Sequence, residues 1–109
     1  MANLIGQVTI PASGQVTLAK GWPQHSVGGP GNLAANPSVG HIYFNQLLVQ
    51  NNSAVNVRIG DVTVSATRGL LLLPTGSGNF GAFINFASYL GDWYVAGAAG
   101  TVIDFICIQ

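Results

Sequence analysis

The apolar runs of this chain are short, and glycine, proline, asparagine or serine punctuates them at intervals of roughly eight to twelve residues. Valine, isoleucine, threonine and aromatic residues fill the runs, the types that fit a pleated, half-buried surface. This rhythm predicts β structure almost throughout. At 109 residues and 11.2 kDa, the chain is expected to form one domain, residues 1–109, burying about two-thirds of its unfolded surface.

Gly6-Gln7-Val8-Thr9 recurs as Gly14-Gln15-Val16-Thr17 with Pro11-Ala12-Ser13-Gly14 between them, which reads as two half-buried strands joined by a turn. Residues 21–40 carry three prolines and five glycines and read as one long irregular loop, a kind that is uncommon in a small domain and usually functional or disordered. Strand character resumes from His41 to Gln50, and Asn51-Asn52-Ser53 reads as a polar turn. Val55, Val57 and Ile59 alternate with Asn56 and Arg58, as in a strand with one buried face. Gly60-Asp61 is a tight-turn dipeptide leading into Val62 and Val64. Phe80 to Leu90 fits a strand or short helical turns equally well, whereas Trp93–Ala96 reads as a strand. Thr101–Ile108 is a strand apolar on both faces, with Ile103, Phe105 and Cys107 on one and Val102, Ile106 and Ile108 on the other. Leu70–Leu73 is two-faced in the same way. Such strands are either central in a two-layer core or part of a subunit contact. About eight short strands predict an all-β fold: a single-domain antiparallel β-sandwich, jelly-roll-like, with one long Gly/Pro-rich loop.

Charge narrows the function. Only Lys20, Arg58, Arg68, Asp61, Asp92 and Asp104 are charged and glutamate is absent, against 49% hydrophobic residues; soluble domains run near a quarter charged. Three scattered cations cannot supply the counterion release that nucleic-acid binding needs, so no nucleic-acid partner is expected. No run of about 18 apolar residues exists for a spanning helix, and most strands are too short for an outer-membrane barrel, so no membrane is expected. Met1–Gly6 lacks the basic, long apolar leader of a signal peptide.

Chemistry-bearing motifs are thin. Gly76-Ser77-Gly78-Asn79-Phe80-Gly81 has the letters of a dinucleotide loop but neither the βαβ context nor an acid at the right spacing. Ser77 is not in a nucleophile elbow, and His25 and His41 have no metal-site spacing. No catalytic residue, metal ligand or cofactor is predicted. Cys107 lies in an apolar strand and reads as a small buried hydrophobe. Trp22, Tyr43, Tyr89, Trp93 and Tyr94 would suit sugar stacking, but aromatics of this kind also fill sandwich cores.

The stretch Val57-Arg58-Ile59-Gly60-Asp61-Val62-Thr63-Val64-Ser65-Ala66-Thr67-Arg68-Gly69, the leucine run closed by Pro74, and Trp93-Tyr94-Val95-Ala96-Gly97-Ala98-Ala99-Gly100-Thr101-Val102 resemble small β-sandwich structural proteins of tailed bacteriophages. The resemblance covers residues 50–109, and capsid cement or decoration proteins match best in length and β character. It implies a non-enzymatic virion protein, assembled in the host cytoplasm, that docks on the outer shell and staples major capsid protein subunits. Self-association as a homodimer or homotrimer is expected. Leu4, Ile5, Trp22 and His25 are the candidates for capsid contact; Ile103, Phe105, Ile106 and Ile108 are those for self-association. The alternative is a glycan- or receptor-binding module, or a tail or baseplate adaptor.

Overall fold

The structure is a computed structural model and describes residues 3–21, 42–74 and 81–109. The expected 21–40 loop therefore lies outside the described residues except for Gly21, as does most of the glycine-rich stretch ending at Gly81. Ten strands are present among the described residues: β1 (Asn3–Thr9), β2 (Gln15–Thr17), β3 (Tyr43–Phe44), β4 (Gln46–Asn51), β5 (Val57–Gly60), β6 (Leu70–Leu72), β7 (Ala82–Ile84), β8 (Ser88–Tyr89), β9 (Tyr94–Ala96) and β10 (Val102–Ile108). Sheet 1 has the order β1-β10-β4-β7, sheet 2 the order β2-β9-β5-β6, and β3 with β8 forms a small ribbon. Every strand pairing is antiparallel.

One hydrophobic core joins the two main sheets. Val8, Leu47, Val49, Ile84, Ile103, Phe105 and Cys107 come from sheet 1, and Val57, Ile59, Leu72 and Val95 from sheet 2. Leu18 and Leu90, each at the start of a short 3-10 turn, join the same core. The alternation along β10 puts Ile103, Phe105 and Cys107 inside and leaves the intervening residues only partly covered, as period two requires. The fold is all-β and sandwich-like.

Several local expectations change with pairing. The Gly6–Thr9 and Gly14–Thr17 echo does form two strands joined by a turn, closed by Gly14 N donating to Pro11 O at 2.9 Å. The strands do not pair with each other: β1 lies against β10 in sheet 1, and β2 against β9 in sheet 2. The turn crosses between layers because Val8 and Ile10 must stay in the core while the chain reverses. The run expected from His41 to Gln50 is split at Asn45, whose N–H bonds Ile108 O. Phe80–Leu90 resolves into β7 and β8, followed by a 3-10 turn over Leu90–Asp92. Val62 and Val64 belong to no strand. Residues 61–69 fold back instead, with Val64 N on Asp61 O at 3.0 Å and a Ser65–Arg68 bridge.

The two strands expected to be apolar on both faces part company. β10 is interior to sheet 1, between β1 and β4, whereas β6 is an edge of sheet 2. In β6 only Leu72 is buried; Leu70 is 72% and Leu71 49% exposed.

Candidate functional site

Register builds one continuous feature on the outer face of sheet 1. Ile5 stands opposite Ile106, Ile106 opposite Leu48, and Leu48 opposite Phe83. These four residues form a row crossing all four strands at right angles to the chain direction. Ile5 is 70%, Phe83 57% and Leu48 39% exposed, while Ile106 is half-buried between its neighbours. Directly opposed side chains lie about 5 Å apart, so the row is a contiguous apolar stripe rather than scattered surface hydrophobes. A shallow depression of about 340 Å³ runs beside it, lined by Ile5, Leu48, Gln50, Asp104, Phe105 and Ile106.

Amide-rich rows flank the stripe. On one side Gln7, Asp104 and Gln50 are in register, with Gln7 Nε2 donating to Asp104 Oδ1 at 2.7 Å. On the other, Ile108 and Gln46 are in register, and Gln46 Nε2 donates to Asn85 Oδ1 at 2.8 Å. Asp104 is the single charged residue of these rows.

The outer face of sheet 2 is treated differently. The 61–69 loop folds over it and is stitched down by side chains: Arg58 Nη1 donates to Gly69 O at 2.8 Å and Arg58 Nε to Ala66 O at 3.2 Å. Gln15 Nε2 donates to the carbonyls of Val62 and Val64. Asp61 accepts from the hydroxyl and the N–H of Thr63, and Arg68 Nε donates to that hydroxyl at 2.9 Å. The Thr63 hydroxyl, then its N–H and the nearby Arg68 charge, hold the Asp61 carboxyl below its usual range. Three of the six charges thus hold one loop in place. Burial pushes the Cys107 thiol up to about 11, far from the range of a reactive thiolate. Among the described residues no three His, Cys, Asp or Glu side chains cluster as metal ligands, and no helix is long and apolar enough to cross a membrane.

The residues predicted for contact are divided by this geometry. Ile5 and Ile106, assigned by sequence to two different partners, are direct neighbours in one row. Ile108 lies on the same outer face one row away. Ile103 and Phe105, expected in self-association, point into the core and are closed to any partner; β10 has sheet neighbours on both sides, so its inner alternate residues face sheet 2. Leu4 sits in β1 opposite Cys107. Trp22 and His25 lie outside the described residues. Sequence reasoning misses Leu48 and Phe83, because no local pattern marks them: each looks like ordinary strand filling until β4 and β7 are placed beside β10.

The aromatics are mostly employed structurally. Trp93 packs against the core, meets Phe86 at 6.1 Å and donates its indole N–H to Ser88 Oγ at 3.2 Å. Tyr43 and Tyr89, each half exposed, pack edge to face at 5.8 Å on the β3–β8 ribbon.

Comparison with protein-family profiles, curated protein sequences and solved structures finds no match. Among the described residues, fold and surface define the class: a sandwich-like, all-β module with one face covered by its own 61–69 loop and one exposed apolar face.

Proposed function

We propose that this chain is a non-enzymatic virion protein, a capsid cement or decoration module that docks on an outer shell and holds neighbouring major capsid protein subunits together. The observation that carries the reading is the presence, among the described residues, of two separate exposed apolar surfaces on a chain with only six charges. One is the Ile5–Ile106–Leu48–Phe83 row on sheet 1; the other is the Leu70–Leu71 edge on sheet 2. A module with two gripping surfaces joins two partners, and each weak contact gains from the effective concentration set by the other.

The connectivity supports a jelly-roll reading. Leaving aside the β3–β8 ribbon, the eight remaining strands in chain order occupy the sheets as first-eighth-third-sixth and second-seventh-fourth-fifth, the interleaving of two Greek keys found in capsid jelly rolls. The resemblance of residues 50–109 to phage β-sandwich proteins points the same way. The mechanism is apolar area and strand-edge contact rather than ion pairing; Leu4, Trp22 and His25 remain the proposed shell contacts, joined by the Leu70–Leu71 edge, while Ile5 belongs to the sheet 1 row. Cryo-microscopy of the phage particle tests the assignment: density for this fold on the shell's outer surface is expected, and its restriction to the tail would replace cement by adaptor.

The half-exposed Tyr43, Phe86 and Tyr89 favour one second reading, a glycan- or receptor-binding module. Reproducible binding on a glycan array, abolished by Tyr43→Ala or Tyr89→Ala, would establish it.

A further inference from the structure

We propose that the apolar row on sheet 1 is the contact between two copies of this chain, packed face to face about a twofold axis that runs along the strands between β10 and β4. The reading does not depend on the virion assignment.

The row is its own complement. It has four members, one from each strand, and that axis passes through its midpoint. The operation lays β10 of one copy over β4 of the other and β1 over β7. Ile106 then meets Leu48 of the second copy, and Ile5, the most exposed member, meets the second copy's Phe83. Each contact occurs twice, as an isologous interface requires.

Charge selects this axis over the other twofold available. Asp104 is the single charge of the three rows and lies in register with Gln50. With the axis along the strands, Asp104 comes over the second copy's Gln50, a carboxylate against an amide, and never over another Asp104. With the axis along the row, the strand direction reverses and Asp104 falls over the second copy's Ile108, desolvating a carboxylate against hydrocarbon. The scarcity of charge also argues for a second copy over a partner of opposite sign, since this face offers little for such a partner to recognise.

The area sets the strength. Four strands about 4.8 Å apart and five residues rising about 3.3 Å each give a face about 19 Å by 17 Å. Two such faces in contact bury about 650 Å² of flat area, below the roughly 1,000 Å² of a stable interface and in the range of weak, transient association. A dimer that dissociates on dilution is expected, not a permanent one.

Sedimentation equilibrium of the purified full chain over a wide concentration series tests the proposal. The wild type should pass from monomer to dimer with rising concentration. Ile106→Lys and Leu48→Asp, both on the outer face, should each weaken dimerisation at least tenfold while circular dichroism and melting stay native-like. Mixing the two variants should restore a dimer, because the axis brings the introduced lysine of one copy to the introduced aspartate of the other. Leu70→Lys, on the other sheet, should dimerise as the wild type does. A wild type that stays monomeric throughout, dimerisation indifferent to Ile106→Lys, or mixed variants that remain monomers would overturn it. None of these outcomes bears on whether the chain binds a shell, so the two readings fail separately.

Discussion

Gly6 stands directly opposite Phe105 in the β1–β10 pair, and the absent side chain is what admits the ring. A Cβ at Gly6 would overlap the Phe105 ring and come within 2.5 Å of the Gly21 carbonyl oxygen. Phe105 is one of the largest buried residues, so the ring has nowhere to retreat. Gly6→Ala should therefore cost about 1–3 kcal/mol through overpacking, read as a lower denaturant midpoint. Adding Phe105→Leu should recover part of the loss relative to Phe105→Leu alone. Wild-type stability for Gly6→Ala would show that β1 and β10 are not apposed in this register.

Asn51 is fully buried and holds three segments together. Its Nδ2 donates to Val55 O at 2.6 Å and Leu72 O at 3.0 Å, and its Oδ1 accepts from Ser53 Oγ at 2.6 Å. Asn51→Ala removes the amide donor from both carbonyls, leaving Val55 O only the Ser53 hydroxyl at 3.2 Å, and should destabilise the fold by about 2–4 kcal/mol, measured by urea unfolding. Asn51→Asp should fare no better, because a carboxylate cannot donate to either carbonyl. A loss below about 0.5 kcal/mol in both variants, the range of ordinary surface changes, would mean the amide is not the tie between β4 and β6.

Cys107 makes the fold sensitive to alkali. Burial raises its folded pKa to about 11, above the ordinary thiol value of about 8.5. Below the unfolded value both states keep the proton and nothing changes. Above it the unfolded chain ionises first, so stability falls as pH rises, until the folded thiol also ionises near 11. The loss should be at most about 3 kcal/mol and should shrink in Cys107→Ala when the two proteins are compared across that window. The native thiol should also resist iodoacetamide at about pH 8, below its ordinary pKa, and react on unfolding; rapid native-state labelling would contradict its burial.

What the amino-acid sequence reveals about this fold depends on how far apart the deciding residues lie. The burial alternation of β10 is legible because neighbours two apart share a face, and the turn at Pro11–Gly14 is legible from its own residues. Partnering is not. The Gly6–Thr9 and Gly14–Thr17 echo suggests a hairpin, yet each strand finds its partner near the far end of the chain, Gly6 opposite Phe105 and Gln15 opposite Ala96. Asn51 resembles a turn residue until the Leu72 carbonyl arrives from a different strand to claim its amide. The candidate site is the extreme case. Ile5 and Ile106 are visible singly, but their being neighbours, and their continuation through Leu48 to Phe83, follows from three pairings in register. Asp61 is legible as a turn residue from Gly60-Asp61 alone, but that the 61–69 segment folds back as a loop, with Arg68 and Asp61 meeting at Thr63, is not.

The central claim is attachment by apolar area on a nearly chargeless body, and equilibrium binding to isolated phage shells across ionic strength tests it most directly. Co-sedimentation from about 0.05 to 1 M salt spans Debye lengths from above 10 Å to about 3 Å, enough to screen any surface ion pairing. Binding that varies less than about threefold over that range, and that falls at least tenfold in Leu70→Lys, is predicted. A steep loss of binding with salt, or no binding to shells at any salt, would contradict the account.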